Sequence, residues 1–376
     1  MKYQCIASAA FGLEGIVAKE LERLGIGAKG ENGGARFEAD LNEIFKANVY
    51  LRCADRIFII LAEQEVMSFD EIFDTVANIQ WHTLLPQDAQ ILVTAKCVRS
   101  QIMSTRDCQS IAKKAIVKQM QAAYNTQVLP ETGVSFHVDI AIHSNMMHVS
   151  LDTTGDALNK RGYRTWNAEA PIRETLAAAI LNIAPWRMRM PLHDPCCGSA
   201  TFLIEAAFMA TRRASGLERS FAMEHWPVVD AAQLENIRNE AKELFDLGRE
   251  IQISGSDIDN EVLQLAKKHL QQAKLQGKIK VWNSDLSNLQ LDEKFGCFIV
   301  NPPYGERLSE QKQCRKLYVE LGKLLQRHPT WSMAVITSDT NFEYYFGKKA
   351  NKKRRLYNAR LECNVYMYDS KIKAPR

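Results

Sequence analysis

A short stretch in the C-terminal third of the chain carries the side chains best suited to chemistry. The apolar run Phe298-Ile299-Val300 is followed directly by Asn301-Pro302-Pro303-Tyr304. Proline lacks a backbone N–H and has a fixed φ, so a strand predicted over the apolar run cannot continue through the two prolines. The oxygens of the Asn301 carboxamide and the Pro302 carbonyl could accept hydrogen bonds from an exocyclic amino group. Tyr304 could stack on a planar base, which contributes about 1–3 kcal/mol. The pattern predicts a rigid, exposed loop that orients a flat amine; an ordinary Pro-Pro turn after a strand is the alternative.

A second candidate site lies where a predicted strand ends at Asp194. It runs into the small-residue turn Pro195-Cys196-Cys197-Gly198-Ser199-Ala200-Thr201 and then into an apolar helix. A strand–turn–helix of this kind presents backbone N–H groups to a polar ligand. No Gly-Lys-Ser/Thr follows, and one glycine is too few for a dinucleotide fingerprint. A methionine-derived sulfonium cofactor fits better, because Asp194 can pair with its charged amino group. We predict cofactor contacts at Asp194, Pro195, Cys196 and Gly198, with an ordinary turn as the alternative.

Two further predicted strands end in acidic residues. The strand 251–256 leads to Asp257 and Ile258, and the carboxylate of Asp257 could accept hydrogen bonds from both hydroxyls of a ribose. Asp259 is expected to cap the helix 261–272 instead. The strand 279–282 leads to Asp285 and Leu286; the carboxylate could accept from an adenine amino group, and the leucine could offer its backbone N–H to the ring. A surface turn is the alternative for this last pair.

Four successive strands are thus predicted to end at Asp194, Asp257, Asp285 and Asn301. In open α/β sheets ligands bind at the carboxyl ends of the strands, so one pocket is predicted there. The gap from Gly198 to Asp257 is far longer than the about twenty residues of a dinucleotide-binding unit. Residues 211–250 are predicted to be a helical insertion, which argues against an NAD fold.

Composition limits the class of protein. The chain has 376 residues, 46% hydrophobic and 24% charged, as is ordinary for a globular protein, and no apolar run approaches the about 20 residues that span a membrane. The N-terminus lacks the features of a secretory signal, and nine cysteines without a C-x-x-C pair indicate reduced thiols and no zinc site. We expect a cytoplasmic protein without a metal or a membrane partner. A net charge of +4 permits a nucleic-acid partner without requiring one.

The order of predicted elements divides the chain. We expect an α+β subdomain over 1–66, a second α/β region over 67–155, a linker over 156–175 and a catalytic domain over 176–376. Within these, Ser68 with Glu71 predicts a capping box for the helix 69–79. Asp107 is the predicted cap of the helix 108–124. Pro171 suits the first turn of the helix that opens the catalytic domain.

Basic residues outside the predicted pocket are candidates for nucleic-acid contact through phosphates, which is independent of sequence and sensitive to salt. They fall into three groups. The candidates are Lys96, Arg99, Lys113, Lys114 and Lys118 in the second region, Arg161 in the linker, and Lys352, Lys353 and Arg354 in a charged loop predicted between two strands. The alternatives are solvated helix and loop surfaces, and for Arg161 a simple linker.

These motifs carry a family resemblance. Asn301-Pro302-Pro303-Tyr304 resembles the catalytic motif of S-adenosylmethionine-dependent methyltransferases acting on planar amino nitrogens: adenine N6, guanine N2 or protein glutamine N5. The segments 96–100, 107–109 and 113–116 resemble the THUMP domain, an RNA-binding module. Together with the segment 194–207, they make nearly the whole chain similar to bacterial guanine-N2 methyltransferases of 23S ribosomal RNA. Ala200 departs from the family, which usually has a second glycine there, and this puts cofactor affinity in question.

The resemblance implies a fold, a cofactor and a substrate. The fold is a Rossmann-like class I methyltransferase domain with a mostly parallel sheet, preceded by an N-terminal α+β ferredoxin-like and THUMP region. The cofactor is S-adenosylmethionine, and the partner is RNA, either 23S ribosomal RNA or a ribosomal assembly intermediate. The alternatives are guanine N2 in tRNA, adenine N6, and a non-catalytic RNA-binding assembly factor. Protein glutamine is disfavoured, since it leaves the N-terminal half without a use.

Overall fold

The fold is built from two seven-stranded sheets and the helices that cover them. The computed structural model describes residues 1–164, 172–304 and 308–370, and the predicted first-turn Pro171 lies outside these ranges. The described strands are Tyr3–Ser8 (β1), Ala28–Glu31 (β2), Gly34–Ala39 (β3), Arg56–Glu65 (β4), Gln90–Val98 (β5), Ser135–His143 (β6), Met146–Asp152 (β7), Leu192–Asp194 (β8), Ile253–Asp257 (β9), Lys280–Asn283 (β10), Gly296–Val300 (β11), Trp331–Thr337 (β12), Lys352–Asn358 (β13) and Leu361–Tyr368 (β14).

Ten α-helices lie within the described residues, and none of them is long and apolar enough to cross a membrane. The helices are Glu14–Arg23 (α1), Leu41–Tyr50 (α2), Phe69–Ala77 (α3), Thr105–Ala123 (α4), Glu174–Ile183 (α5), Thr201–Ala210 (α6), Ala231–Leu244 (α7), Asn260–Gln272 (α8), Leu308–Arg327 (α9) and Phe342–Phe346 (α10).

The first sheet belongs to the N-terminal half of the chain. Its strand order is β2-β3-β1-β4-β7-β6-β5, antiparallel except for the parallel pair β5 and β6. The predicted capping box is confirmed, since Ser68 and Glu71 bond each other's backbone at the start of α3. The predicted cap of α4 is wrong. Ser104 is the cap, and the backbone N–H of Asp107 donates to its hydroxyl at 3.3 Å.

Two compact units divide the chain, and their limits differ from a simple cut at the linker. The first unit contains residues 1–9, 17–158 and 219–240; the second contains 10–16, 159–218 and 241–376. Part of the insertion predicted within the catalytic domain therefore groups with the first unit. Aromatic packing explains this: Trp226 stacks on Phe136 at 5.4 Å between ring centroids, and Phe221 meets Phe45 edge-on at 5.8 Å. The domain boundaries predicted from the sequence remain a proposal.

The second sheet positions the predicted pocket. Its order is β10-β9-β8-β11-β12-β14-β13, and the first five strands run parallel. The last two pair antiparallel. Every residue of β11 is buried, as its continuous apolar sequence predicts. The chain moves outward from β8 in one direction and from β11 in the other, which creates the switch point where α/β sheets bind ligands. The predicted α/β fold class is confirmed.

The charged run near the C-terminus is a strand rather than the predicted loop. Residues 352–358 form β13, which pairs along its length with β14 at the edge of the second sheet. Lysine and arginine suit this position, because charged side chains protect an edge strand from pairing with other chains.

Candidate active site

Four polar residues predicted from separate stretches of sequence lie at the carboxyl ends of adjacent strands or just after them. Asp257 is the last residue of β9 and Asp194 is the last residue of β8. Asn301 comes directly after β11, and Asp285 comes two residues after β10. These strands are neighbours and parallel, so their carboxyl ends meet at one edge of the sheet. The arrangement has the form of a ligand pocket at a switch point.

The loop after β11 is held by its own side chains. The hydroxyl of Tyr304 donates to Oδ1 of Asn301 at 2.8 Å, and Nδ2 of Asn358 approaches that hydroxyl at 3.3 Å. Burial raises the pKa of Tyr304, so the hydroxyl keeps its proton for this bond. Pro302 is buried, whereas Pro303 is exposed and its carbonyl accepts from Sγ of Cys314 at 3.1 Å. Among the described residues no hydrogen bond occupies the Pro302 carbonyl.

Asp194 is a buried carboxyl group without a cationic partner in the described part of the chain. It is 2% exposed, and Oδ1 accepts one hydrogen bond, from the backbone N–H of Cys196 at 3.1 Å. Burial raises the pKa of Asp194 well above its ordinary value; the Cys196 bond lowers it, and the nearby charge of Asp257 raises it further. A carboxylate in this state gains stability from any cation that enters the site. This is the property expected of a contact for a charged amino group.

The turn after β8 is tied to the neighbouring strand by Asp257. Its Oδ2 accepts from the backbone N–H of Gly198 at 2.9 Å, and Oδ1 accepts from the N–H of Asp259 at 3.1 Å. Each carboxylate oxygen retains a further lone pair for a ligand. The predicted cap role of Asp259 is confirmed, since its side chain accepts from two backbone N–H groups at the start of α8. β9 passes so close to the turn and to α6 that a Cβ at Gly255 would lie 2.8 Å from Cβ of Cys197 and 2.6 Å from the Leu203 side chain.

The unusual residue of the turn, Ala200, has left-handed backbone geometry. Its φ is 69° and its ψ is 22°, and it precedes the first residue of α6. An L-residue pays about 1–2 kcal/mol in this conformation, whereas glycine adopts it freely. The geometry therefore gives a physical reason for glycine at this position and locates the cost of the alanine in the backbone.

The remaining predicted cofactor contacts differ in exposure. Ile258 is exposed beside Asp257, and Pro195 is buried. Asp285 caps the short helical turn 286–288, accepting from the backbone N–H of Ser287 at 2.7 Å and from its hydroxyl, and these bonds lower its pKa. The side chain of Leu286 is buried in the core. Asp285 and Ile258 thus present groups to solvent at this edge, whereas Leu286 could contribute only backbone.

Sequence reasoning missed a buried histidine directly before Asp194. The ring nitrogens of His193 lie 2.9 Å from the hydroxyl of Ser254 and 3.1 Å from that of Ser256. Its ring packs against Trp282 at 5.1 Å between centroids. Burial lowers the pKa of His193 to about 3, with a smaller contribution from His328, so the ring is neutral. The alternation of serine at 254 and 256 on one strand face was the available signal.

The predicted RNA contacts in the first unit lie on exposed or partly exposed surface. Lys96, Arg99, Lys114 and Lys118 are exposed, and Lys118 lies over the Phe73 ring at 5.4 Å. Lys113 differs, because its Nζ pairs with Oε2 of Glu131 at 2.8 Å. In the second unit, Lys352 is exposed, Lys353 pairs with Glu343, and Nη2 of Arg354 donates to the Gly12 carbonyl at 2.6 Å. Lys113, Lys353 and Arg354 thus each have a partner within the protein.

The prediction that Arg161 contacts RNA is wrong. Its side chain is 1% exposed, and Nε lies 3.2 Å from Oε1 of Glu205, whose side chain is 0% exposed. Burial acts to lower the pKa of Arg161, but the attraction and hydrogen bond of Glu205, with other nearby groups, outweigh it and raise the pKa overall. Arg164, nearby in sequence, pairs with Glu174 at 3.1 Å and donates to the hydroxyl of Thr201 at 2.6 Å. A single acid in the otherwise apolar α6 was the signal for a buried pair.

A cavity of about 620 Å³ lies away from this site. Ile251 and Gln252, which line it, come directly before β9, at the opposite end of that strand from Asp257. None of the predicted site residues lines it. Within the described ranges no group of three or more His, Cys, Asp or Glu is arranged to hold a metal ion.

The fold and the ordered strand ends define a Rossmann-like methyltransferase. Three domain families match the chain: the RlmL ferredoxin-like domain at residues 4–58, the THUMP domain at 66–152, and the RMKL-like methyltransferase domain at 161–367. The last covers more than half of the 376 residues. The chain therefore belongs to the RMKL-like methyltransferase family.

Individual relatives agree with this assignment. The chain is 38% identical to "Putative RNA methyltransferase YpsC" of Bacillus subtilis (strain 168), over 100% of this chain and 98% of that one. It is 30% identical to "Ribosomal RNA large subunit methyltransferase K/L" of Buchnera aphidicola, over 95% of this chain but only 53% of that longer protein. Among solved structures, SMU.472, described as "a putative methyltransferase complexed with SAH", is 40% identical with a TM-score of 0.95, over 99% of both chains. The chain is thus similar to RNA methyltransferases over its whole length.

Proposed function

We propose that this protein transfers the methyl group of S-adenosylmethionine to the exocyclic N2 of a guanine in 23S ribosomal RNA. The observation that carries the proposal is the placement of Asp194, Asp257, Asp285 and Asn301 at or just after the carboxyl ends of four adjacent parallel strands. The family supplies the methyltransferase class, and the THUMP match supports an RNA substrate. The guanine and the 23S RNA rest on the resemblance of the motifs. The names of the K/L relatives, of whose length this chain spans about half, support only ribosomal RNA of the large subunit.

The residues present fit the cofactor. Asp194 is a buried acid without a cationic partner among the described residues, and a charged amino group would satisfy it. Asp257 keeps lone pairs for ribose hydroxyls, and Asp285 is exposed and could accept a hydrogen bond from an adenine amino group. When bound, S-adenosylmethionine supplies an electrophilic methyl group on a positively charged sulfur.

Asn301 is the residue assigned to the substrate amine. The Tyr304 hydroxyl donates to its Oδ1, which leaves that oxygen one more lone pair, and the Pro302 carbonyl is the second acceptor. Two acceptors fix the two N–H bonds of an amino group and direct its lone pair toward the methyl group. Orientation of this kind supplies a large part of a rate enhancement without a strong base. The target base has to leave its stack to reach the loop.

The first unit is assigned to RNA binding. Lys96, Arg99, Lys114 and Lys118 offer exposed positive charge for phosphates. Contacts of this type hold the RNA without reading its sequence, so the choice of nucleotide falls to the catalytic unit.

The test is methylation of defined RNA by the purified protein. In vitro transcribed 23S ribosomal RNA is incubated with methyl-labelled S-adenosylmethionine, and the digested nucleosides are separated by mass spectrometry. We expect labelled N2-methylguanosine among the nucleosides of 23S ribosomal RNA. N6-methyladenosine, or labelling of a tRNA pool but not of 23S RNA, would assign the same site to an alternative substrate. Absence of cofactor binding by calorimetry would favour the non-catalytic assembly factor.

A further inference from the structure

The segment 10–16 lies in the N-terminal half of the sequence but groups with the second unit. Gly12, with φ at 88°, sits against the edge strand β13, where a Cβ would lie 3.0 Å from the carbonyl oxygen of Arg355 and 3.1 Å from the side chain of Leu356. Its own carbonyl accepts from Nη2 of Arg354 at 2.6 Å. Its N–H donates to Oε2 of Glu14 at 2.8 Å. The segment is therefore fixed on β13, and glycine suits this position because of its positive φ and the small space for a Cβ.

This arrangement holds one aromatic ring on the surface. Phe11 is 51% exposed although it is large and apolar. The guanidinium carbon of Arg355 lies 5.6 Å from its ring centroid, and the ring of Tyr357 meets it edge-on at 5.8 Å and 85°. Tyr357 is itself held by a bond from its hydroxyl to Glu362 at 2.9 Å. Unpaired nucleobases stack on exposed aromatic rings and on the guanidinium planes of arginines. Phe11 and Arg355 offer both kinds of surface side by side.

The position of the ring relates it to the catalytic loop. Asn358, the last residue of β13, bonds the hydroxyl of Tyr304 at 3.3 Å. Arg355 lies three residues earlier, about 10 Å along the strand. Alternate side chains leave a strand on opposite faces, so RNA that reaches both features has to pass around β13, which is the edge strand of its sheet. The turn after Asn358 carries Arg360, which is exposed and has no partner among the described residues.

We propose that Phe11, Arg355 and Tyr357 form a stacking platform for an unpaired base that flanks the methylated nucleotide. The proposal rests on the proposed RNA substrate and adds three residues that would contact this RNA. Stacking depends on the face of the ring and not on base identity, so the platform positions the RNA strand instead of selecting its sequence.

The test compares substitutions of Phe11 in the full chain. Binding of in vitro transcribed 23S ribosomal RNA is measured by filter binding at fixed salt, together with the rate of methyl transfer. Phe11→Ala and Phe11→Leu should each weaken binding about 5-fold or more, because leucine keeps apolar area but lacks a stacking face. Phe11→Trp keeps a stacking face and should bind the RNA as tightly as the wild-type protein. Tyr344→Ala is the matched control, since Tyr344 is an aromatic residue of the same unit that is 83% exposed. The affinity of this variant for the RNA should equal that of the wild-type protein.

The outcomes separate this inference from the proposed function. Suppose that the wild-type protein binds and methylates RNA. The platform is refuted, and the function stands, if Phe11→Ala binds the RNA as tightly as the wild type or if Phe11→Leu binds it as tightly as Phe11→Trp. If the wild-type protein methylates no RNA, the proposed function itself fails. Ultraviolet cross-linking of wild-type protein to RNA, read by mass spectrometry, avoids any folding defect of the variants. A cross-link at Phe11 or Tyr357 is expected, and cross-links only outside residues 10–16 and 355–357 would overturn the platform.

Discussion

The buried ion pair of Arg161 and Glu205 can be tested directly, because a buried Arg161 stabilises the fold whereas the sequence predicts that it contacts RNA. Both side chains are excluded from solvent, and two nitrogens of the guanidinium face the carboxylate at 3.2 and 3.4 Å. Arg161→Met leaves a buried carboxylate without its cation, which costs about 3–5 kcal/mol in the free energy of unfolding. With an m-value of about 2 kcal/mol per molar urea, the midpoint of the transition falls by about 1.5–2.5 M.

The assay is urea unfolding followed by tryptophan fluorescence, with RNA affinity measured in parallel. Arg99→Met is the matched control: it also removes an arginine predicted to contact RNA, but from the surface, and should change stability by no more than about 0.5 kcal/mol. In the double variant Arg161→Met/Glu205→Leu the unpaired charge is gone, so much of the lost stability should return. The reasoning is refuted if Arg161→Met unfolds at the wild-type urea concentration while losing RNA affinity.

Further predictions concern the pocket and its supports. Asn301→Ala should reduce methyl transfer by about 100-fold while calorimetry shows unchanged cofactor binding, because only orientation of the amine is lost; retained turnover would remove Asn301 from the mechanism. The raised pKa of Asp194 means that a bound cation has to displace its proton, so cofactor affinity measured by calorimetry should rise with pH in the wild type and lose that dependence in Asp194→Asn. His193 has a folded pKa of about 3 and an ordinary value of 6.5, so stability is complete above pH 6.5 and falls as the pH drops towards 3. At pH 5 the loss is about 2 kcal/mol, and His193→Gln should lack this part of the pH dependence in chemical unfolding; an identical pH profile would contradict a buried neutral ring. Ala200→Gly removes about 1–2 kcal/mol of left-handed strain from the turn, so the free energy of unfolding measured in urea should rise, and a lower value would contradict this.

Local sequence was enough to place the strand ends. The apolar run before Asn301, the small-residue turn after Asp194 and the capping residue Asp259 each act within a few positions of themselves. Their order along the chain also predicts their adjacency, since a parallel sheet places successive carboxyl ends at one edge. Ser104 was missed as the cap of α4 because Asp107 lies close by and has the same capping chemistry.

Contacts between distant segments could not be predicted from local sequence. The family resemblance, the α/β class and the ordered site followed from the sequence alone, because short-range patterns encode strand, turn and cap. The tertiary structure alone decided that Arg161 is buried, that residues 219–240 group with the first unit, and that Phe11 lies on β13. A charged or aromatic side chain has the same local signature on a surface as in a buried pair. Only its partner, here 44 residues away for Arg161 and more than 300 for Phe11, determines which role it takes.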